Sequence, residues 1–191
     1  MPNIFIPADL TVKVGQTIQV PVKIDDATGA LAFNFTIIYD NNVVEFIRVE
    51  RGDVTRNFPG FISNSLINDR IRVGLDQPSP LPQGTGEGSL AIFTFKVKET
   101  ASPGSTNFSI VDPRFNIQPL PGSTVPVTIN SLFSIAIPDN LTSNPGETIT
   151  VPVTLNGATG VDSINLRINY NSAITLTGVT KGQLPEGLDL L

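Results

Sequence analysis

"GQTIQVPVKIDDATG" (residues 15–29) and "GETITVPVTLNGATG" (residues 146–160) carry one pattern twice, 131 positions apart. In the first copy Ile18, Val20, Val22 and Ile24 alternate with Thr17, Gln19, Pro21 and Lys23. A period of two places the four apolar side chains on one face of an extended strand. Each strand then runs into a short turn rich in Asp, Asn and Gly. The match extends outward without a gap from Ile4–Tyr39 onto 135–170, where 17 of 36 positions are identical. Past one deletion, Val49 and Gly52 meet Val179 and Gly182. A unit of about 130 residues is too long for a solenoid repeat and fits a whole domain. The spacing therefore predicts one domain over residues 1–131 and the N-terminal half of a second, truncated copy over 132–191, with almost no linker between them.

The same alternation continues through the first copy. "ALAFNFTIIY" (30–39) turns Leu31, Phe33, Phe35 and Ile37 inward and Ala32, Asn34, Thr36 and Ile38 outward. "FISNSLI" (61–67) and "RIRVGLD" (70–76) read as a hairpin around Asn68-Asp69, with Arg72, Gly74 and Asp76 on the face opposite Ile71, Val73 and Leu75. "SLAIFTFKVKE" (89–99) aligns Ala91, Phe93, Phe95 and Val97. "TNFSIVD" and "TVPVTIN" follow, separated by Pro/Gly turns. The expectation is an all-β fold: an antiparallel β-sandwich of about nine strands, jelly-roll or Greek-key in type. Pro21, Pro152 and Pro126 cannot donate to a ladder, which places them on edges or bulges. Tyr39 and Tyr170 hold equivalent positions and are read as buried rings capping a strand end through the hydroxyl.

Composition removes most chemistries. The chain has no His and no Cys, so Ser-His-Asp, Cys-His and zinc-thiolate sites are absent. Net charge is −5 with no clustered Lys/Arg, which argues against nucleic acid and anionic membranes. No apolar run reaches the roughly 20 residues of a membrane span. The start "MPNIFIPADL" has no basic and apolar leader and reads as the first strand of a domain, so no signal peptide is visible.

Glycoside hydrolysis needs two carboxylates across the scissile bond. The second copy replaces Asp25-Asp26 with Asn156-Gly157 and Asp53 with Gln183, and most of the acids fall at turns or as ordinary surface charges. "GTGEG" (84–88) lacks the following helix that a phosphate loop needs. "YDNN" offers Asp40 to calcium, yet the second copy reads "YNSA", and Asx-turn chemistry accounts for both. Carbohydrate binding is the rival to a protein-binding role. It usually stacks sugars on exposed Trp or Tyr, and this chain has no Trp and two Tyr. No enzyme activity, cofactor or metal is expected.

The order "GQTIQVPV", "FNFTIIYDNNVVEF", "VERGDV", "SLAIFTFKV" and "PGSTNFSI" resembles the cohesin domains of bacterial scaffolding proteins, over residues 1–131 and again over 133–184. The resemblance implies a non-catalytic receptor that binds dockerins, small helical modules that carry their own calcium. Its setting would be extracellular or at the cell surface, in assemblies that degrade polysaccharide, with polysaccharide contacted only indirectly. It also implies a partner-binding face made of Asn34 and Thr36, Asn64 and Leu66, and Arg72, Gly74, Asp76 and Gln77. Two positions depart from the family pattern, which commonly has an acidic group where Asn34 stands and a larger apolar residue where Gly74 stands. The alternative is a secreted or cell-surface structural or adhesion repeat that keeps the fold without dockerin binding. Asn34 recurs as Asn165, either as a contact of that face or as an exposed strand residue without a role.

For the second copy, about 59 residues with half a core are marginal for independent folding. Roughly four strands are expected there, with Ile149, Val151, Val153, Ile164, Leu166 and Ile168 lacking an opposing sheet.

Overall fold

The computed structural model describes residues 1–67, 69–157 and 163–183, the side chains of residues 66 and 67 excepted. The turn expected at Asn68-Asp69 thus lies in part outside the described residues. The chain divides into two units, Met1–Leu132 and Phe133–Leu191.

Unit 1 contains β1 (Ile4–Phe5), β2 (Thr11–Lys13), β3 (Thr17–Ile24), β4 (Ala32–Ile38), β5 (Val44–Arg51), β6 (Gly60–Ile67), β7 (Arg70–Asp76), β8 (Gly88–Val97), β9 (Gly104–Phe115), β10 (Gln118–Pro119) and β11 (Ser123–Asn130). One sheet runs β1-β3-β8-β5 and the other β2-β11-β9-β4-β7-β6, with β10 folded back on β9. Strands β1, β2 and β10 are two or three residues long, too short to show a period in the sequence. The pairing of β2 with β11 is parallel, a departure from the all-antiparallel expectation. It arises because the chain leaves the first sheet after β1 and enters the second at β2. Asp9 turns that corner at φ 64°, a conformation Asp tolerates better than most residues.

The alternating residues meet between the sheets. Val20 and Val22 of β3 and Phe93 and Phe95 of β8 are buried on one side. Phe33, Phe35 and Ile37 of β4, Ile71, Val73 and Leu75 of β7, and Phe108 and Ile110 of β9 are buried on the other. Phe95 sits at the centre, its ring 4.8 Å from Phe108 and 4.9 Å from Tyr39. Each such side chain contributes about 1.5–3 kcal/mol on burial. Tyr39 is therefore held by ring packing, and its N–H donates to the Asp69 carbonyl. Burial pushes its phenol up, with Asp69 adding to the shift.

Leu31 corrects the inward reading. It precedes β4 and is 38 % exposed, because its N–H and that of Ala32 both donate to the Asn116 side chain and divert the backbone there. Pro21 and Pro126 do fall where a ladder donor is dispensable. β1 pairs only with Lys23 and Ile24 of β3, and β2 only with Thr128–Asn130 of β11, so both prolines lie on uncovered stretches.

Unit 2 shows β12 (Ser134–Ala136) and β13 (Thr154–Asn156) among its described residues, fewer than the four strands expected. Their pairing of Ile135 with Leu155 repeats that of Ile4 with Ile24 at the same offset. In unit 1, β3 is held by β8, and β4 by β7 and β9. The stretch 133–191 matches only the part of unit 1 that precedes β7. Tyr170, expected to be buried like Tyr39, is accordingly exposed, as are Ile149, Val151, Leu166 and Ile168.

Candidate partner-binding face

Burial of Phe33, Phe35 and Ile37 forces Ala32, Asn34, Thr36 and Ile38 of β4 to the outer side of the second sheet. The same holds for Arg70, Arg72, Gly74 and Asp76 of β7. Register then fixes the neighbours. Asn34 lies between Gly74 on β7 and Arg114 on β9. Thr36 pairs with Arg72, and Arg72 with Asn64 on β6. Gly74 also faces Ile62, and Asp76 faces both Ala32 and Gly60. Seven of the eight residues expected for the face are thereby brought to one surface or its margin. Leu66 lies on β6 where the register shifts between Ser65 and Ile67, and its side chain lies outside the described residues.

The individual side chains differ in how free they are. Asn34 leans toward Gly74. Asp76 lies across Gly60, where a Cβ would meet its Oδ1 at 2.0 Å, so the glycine makes room for the carboxylate. Gln77 is half-buried and already engaged: its N–H donates to the Leu31 carbonyl at 2.9 Å and its Nε2 to the Ala30 carbonyl at 3.1 Å. It anchors the entry to β4 more than it offers itself to a partner. Asn64 and Arg72 are exposed.

Two neighbours were missed in the sequence. Ile62 shares parity with Asn64 and is 69 % exposed beside Gly74, so alternation alone could have found it. Arg114 could not be found that way. The β4–β9 register shifts between Asn34 and Thr36, whose partners are Arg114 and Val111, so that Asp112 and Pro113 together oppose Phe35 and β9 carries one extra residue. Asp112 takes φ 50° in that bulge. Bulges of this kind re-aim the side chains beside them, here Arg114. The result is a shallow hollow of about 400 Å³ between β4, β7 and β9.

Among the described residues no group of three or more His, Cys, Asp or Glu side chains is placed to hold a metal. Among the same residues no helix is long and apolar enough to cross a membrane. What the face presents is a mainly polar surface with one shallow hollow, on strands whose other side is buried in the core.

The profile of the cohesin domain matches residues 2–117 and 133–186. The chain belongs to the cohesin family. A curated relative, cellulose-binding protein A of Clostridium cellulovorans, is 24% identical over 186 residues, covering 91% of this cohesin chain. The chain spans about a tenth of that relative's length. Among solved structures, a type I cohesin–dockerin complex from Clostridium thermocellum has a TM-score of 0.57 at 19% identity, covering 68% of this chain and 99% of its own. The sixth cohesin of scaffoldin B from Acetivibrio cellulolyticus, crystallised with a dockerin, gives 0.55 at 23% identity, with 68% and 99% covered. A cohesin module from a Clostridium perfringens family 33 glycoside hydrolase gives 0.56 at 13%, with 68% and 97% covered. At such identities these likenesses speak for the cohesin fold.

Proposed function

We propose that this chain is a non-catalytic receptor module whose β9-β4-β7-β6 face takes a dockerin-type protein module, the calcium being carried by the partner. The observation that supports it most is the preformed face itself. Asn34, Thr36, Asn64, Arg72, Gly74 and Asp76 stand on strands whose opposite sides are locked in the core, so docking requires little rearrangement. Leu66 belongs to the same proposed contact, and Gln77 supports it from the margin. Membership of the cohesin family, with relatives crystallised on dockerins, points the same way. The setting we infer is an extracellular or cell-surface assembly that degrades polysaccharide.

Asn34 and Gly74 support a second reading, a structural or adhesion repeat that keeps the fold and binds no dockerin. Titration calorimetry with the calcium-loaded dockerins of the encoding genome separates the two. Binding that Arg72→Glu and Asn34→Ala weaken supports the receptor. Binding unmoved by both places the contact elsewhere, and no binding to any dockerin favours the second reading. Retention on insoluble polysaccharide without a protein partner would instead favour carbohydrate binding.

A further inference from the structure

We propose that the partner of this face presents paired carboxylates to the hollow between β4, β7 and β9, where Arg72 and Arg114 take them. The inference rests on the reading of that face as the partner surface. Arg70, Arg72 and Arg114 line the hollow together with Asn34 and Thr36, and Asp112 is the one carboxylate among the described residues that line it. With Arg70 facing Asp69, two guanidinium groups against the one lining carboxylate still make a positive spot on a chain whose net charge is −5. The Debye length is about 8 Å at physiological salt. The acidic remainder of the molecule is therefore largely screened, and local pairing decides what the hollow accepts.

The arginines are not equally available. Arg70 has Asp69 at 3.6 Å. Arg114 Nη1 donates to the Ile117 carbonyl at 3.3 Å, which satisfies one donor and no charge. The Arg72 guanidinium has no ion pair or hydrogen bond among the described residues, although its backbone belongs to the ladder between β4 and β6. Exposed, unpaired guanidinium forks match a carboxylate bidentately, and a hydroxyl or amide partner would leave their charge unanswered.

Register sets the spacing of the two acids. Arg72 is opposite Thr36 on one side of β4, and Arg114 opposite Asn34 on the other. Two strand spacings and two residues of rise put the two positions roughly 12 Å apart. On a helix rising 1.5 Å per residue, that is about seven or eight residues, two turns of one face. The occupant that fits is a helix laid across the strands with Asp or Glu two turns apart.

The test is a display library built on the Clostridium thermocellum dockerin, with the exposed positions of its helices randomised, selected against the full chain. We expect Asp or Glu to be enriched at two positions two turns apart. Changing either to Asn or Gln should weaken binding about tenfold. Arg72→Glu and Arg114→Glu should each do the same with an unchanged urea midpoint, and Lys at the matching dockerin position should restore affinity. Binders without acidic enrichment, lost on Ile62→Lys but indifferent to Arg72→Glu, would overturn this inference and leave the face as the partner surface. A library that yields no binder would overturn both readings.

Discussion

The amide oxygen of Asn34 stands 3.2 Å from the point where a Cβ on residue 74 would lie, so Asn34 occupies the space that Gly74 leaves. Gly74 is not at a positive φ, and its smallness serves space and not backbone conformation. Glycine inside a strand ordinarily costs stability relative to a β-branched residue. Gly74→Val should leave the urea midpoint unchanged or raise stability by up to about 1 kcal/mol, because only the flexible end of Asn34 must give way. It should also fill the recess beside Ile62 and weaken any partner that reaches into it. A loss of more than about 1 kcal/mol would show that the glycine is needed by the strand itself.

Thr55 joins the loop after β5 to β8. It is fully buried, its Oγ1 donates to the Leu90 carbonyl at 2.6 Å, and it accepts the Gly52 N–H at 3.2 Å. Thr55→Val keeps the shape and removes both bonds, which should cost about 1–3 kcal/mol. Denaturation in urea checks this, with the slope unchanged. Partner binding should not move, since the loop belongs to the other sheet's edge. An unchanged midpoint would mean that the Leu90 carbonyl is satisfied by the Gly52 N–H alone.

Long strands with a clean period were legible in the sequence. Phe33, Phe35 and Ile37 of β4 and the four apolar residues of β3 lie inside, and the outward positions followed from them. Local turns were legible too. Asp40 accepts the Asn42 N–H, and the equivalent Asn171 accepts the Ala173 N–H, although most of unit 2 forms no strand. Features that depend on distant chain were not legible. The parallel β2–β11 ladder joins residues more than a hundred positions apart, and the bulge at Asp112 hides Arg114 from any count of two. Gly52 repeats as Gly182 in the sequence, but its reason appears only in space: a Cβ there would meet the Ser89 carbonyl at 2.1 Å. Nor could the sequence show that the side chain of Gln77, expected as a contact residue, donates to the Ala30 carbonyl.

Ile62 is the exposed apolar residue beside the recess, on the edge strand β6. Ile62→Lys removes little buried area, and lysine on an edge strand discourages pairing between chains. Stability should stay within about 0.5 kcal/mol. If Ile62 packs against a partner, affinity should fall about tenfold, which is about 1.4 kcal/mol. Calorimetry reads the affinity and sedimentation reads self-association. Full retention of binding would remove Ile62 from the contact.

Asp53 closes the end of β5 onto β8. Its Oδ1 accepts from the Ser89 N–H and hydroxyl and from the Val54 N–H. Burial pushes the carboxyl up, but these bonds outweigh it and hold the group below its ordinary value of 3.8. A depressed carboxyl adds stability above its unfolded pKa and loses it as pH falls through the folded one. Asp53→Asn keeps an acceptor and discards the charge, and water reaches the site, so the cost at pH 7 should stay under about 1 kcal/mol. That difference should be constant from neutral pH down to the ordinary carboxylate range, then shrink below pH 3.8 as the wild-type group protonates. Urea midpoints of both proteins across this range provide the check. A difference that grows on acidification would mean that the hydrogen bonds favour the protonated carboxyl.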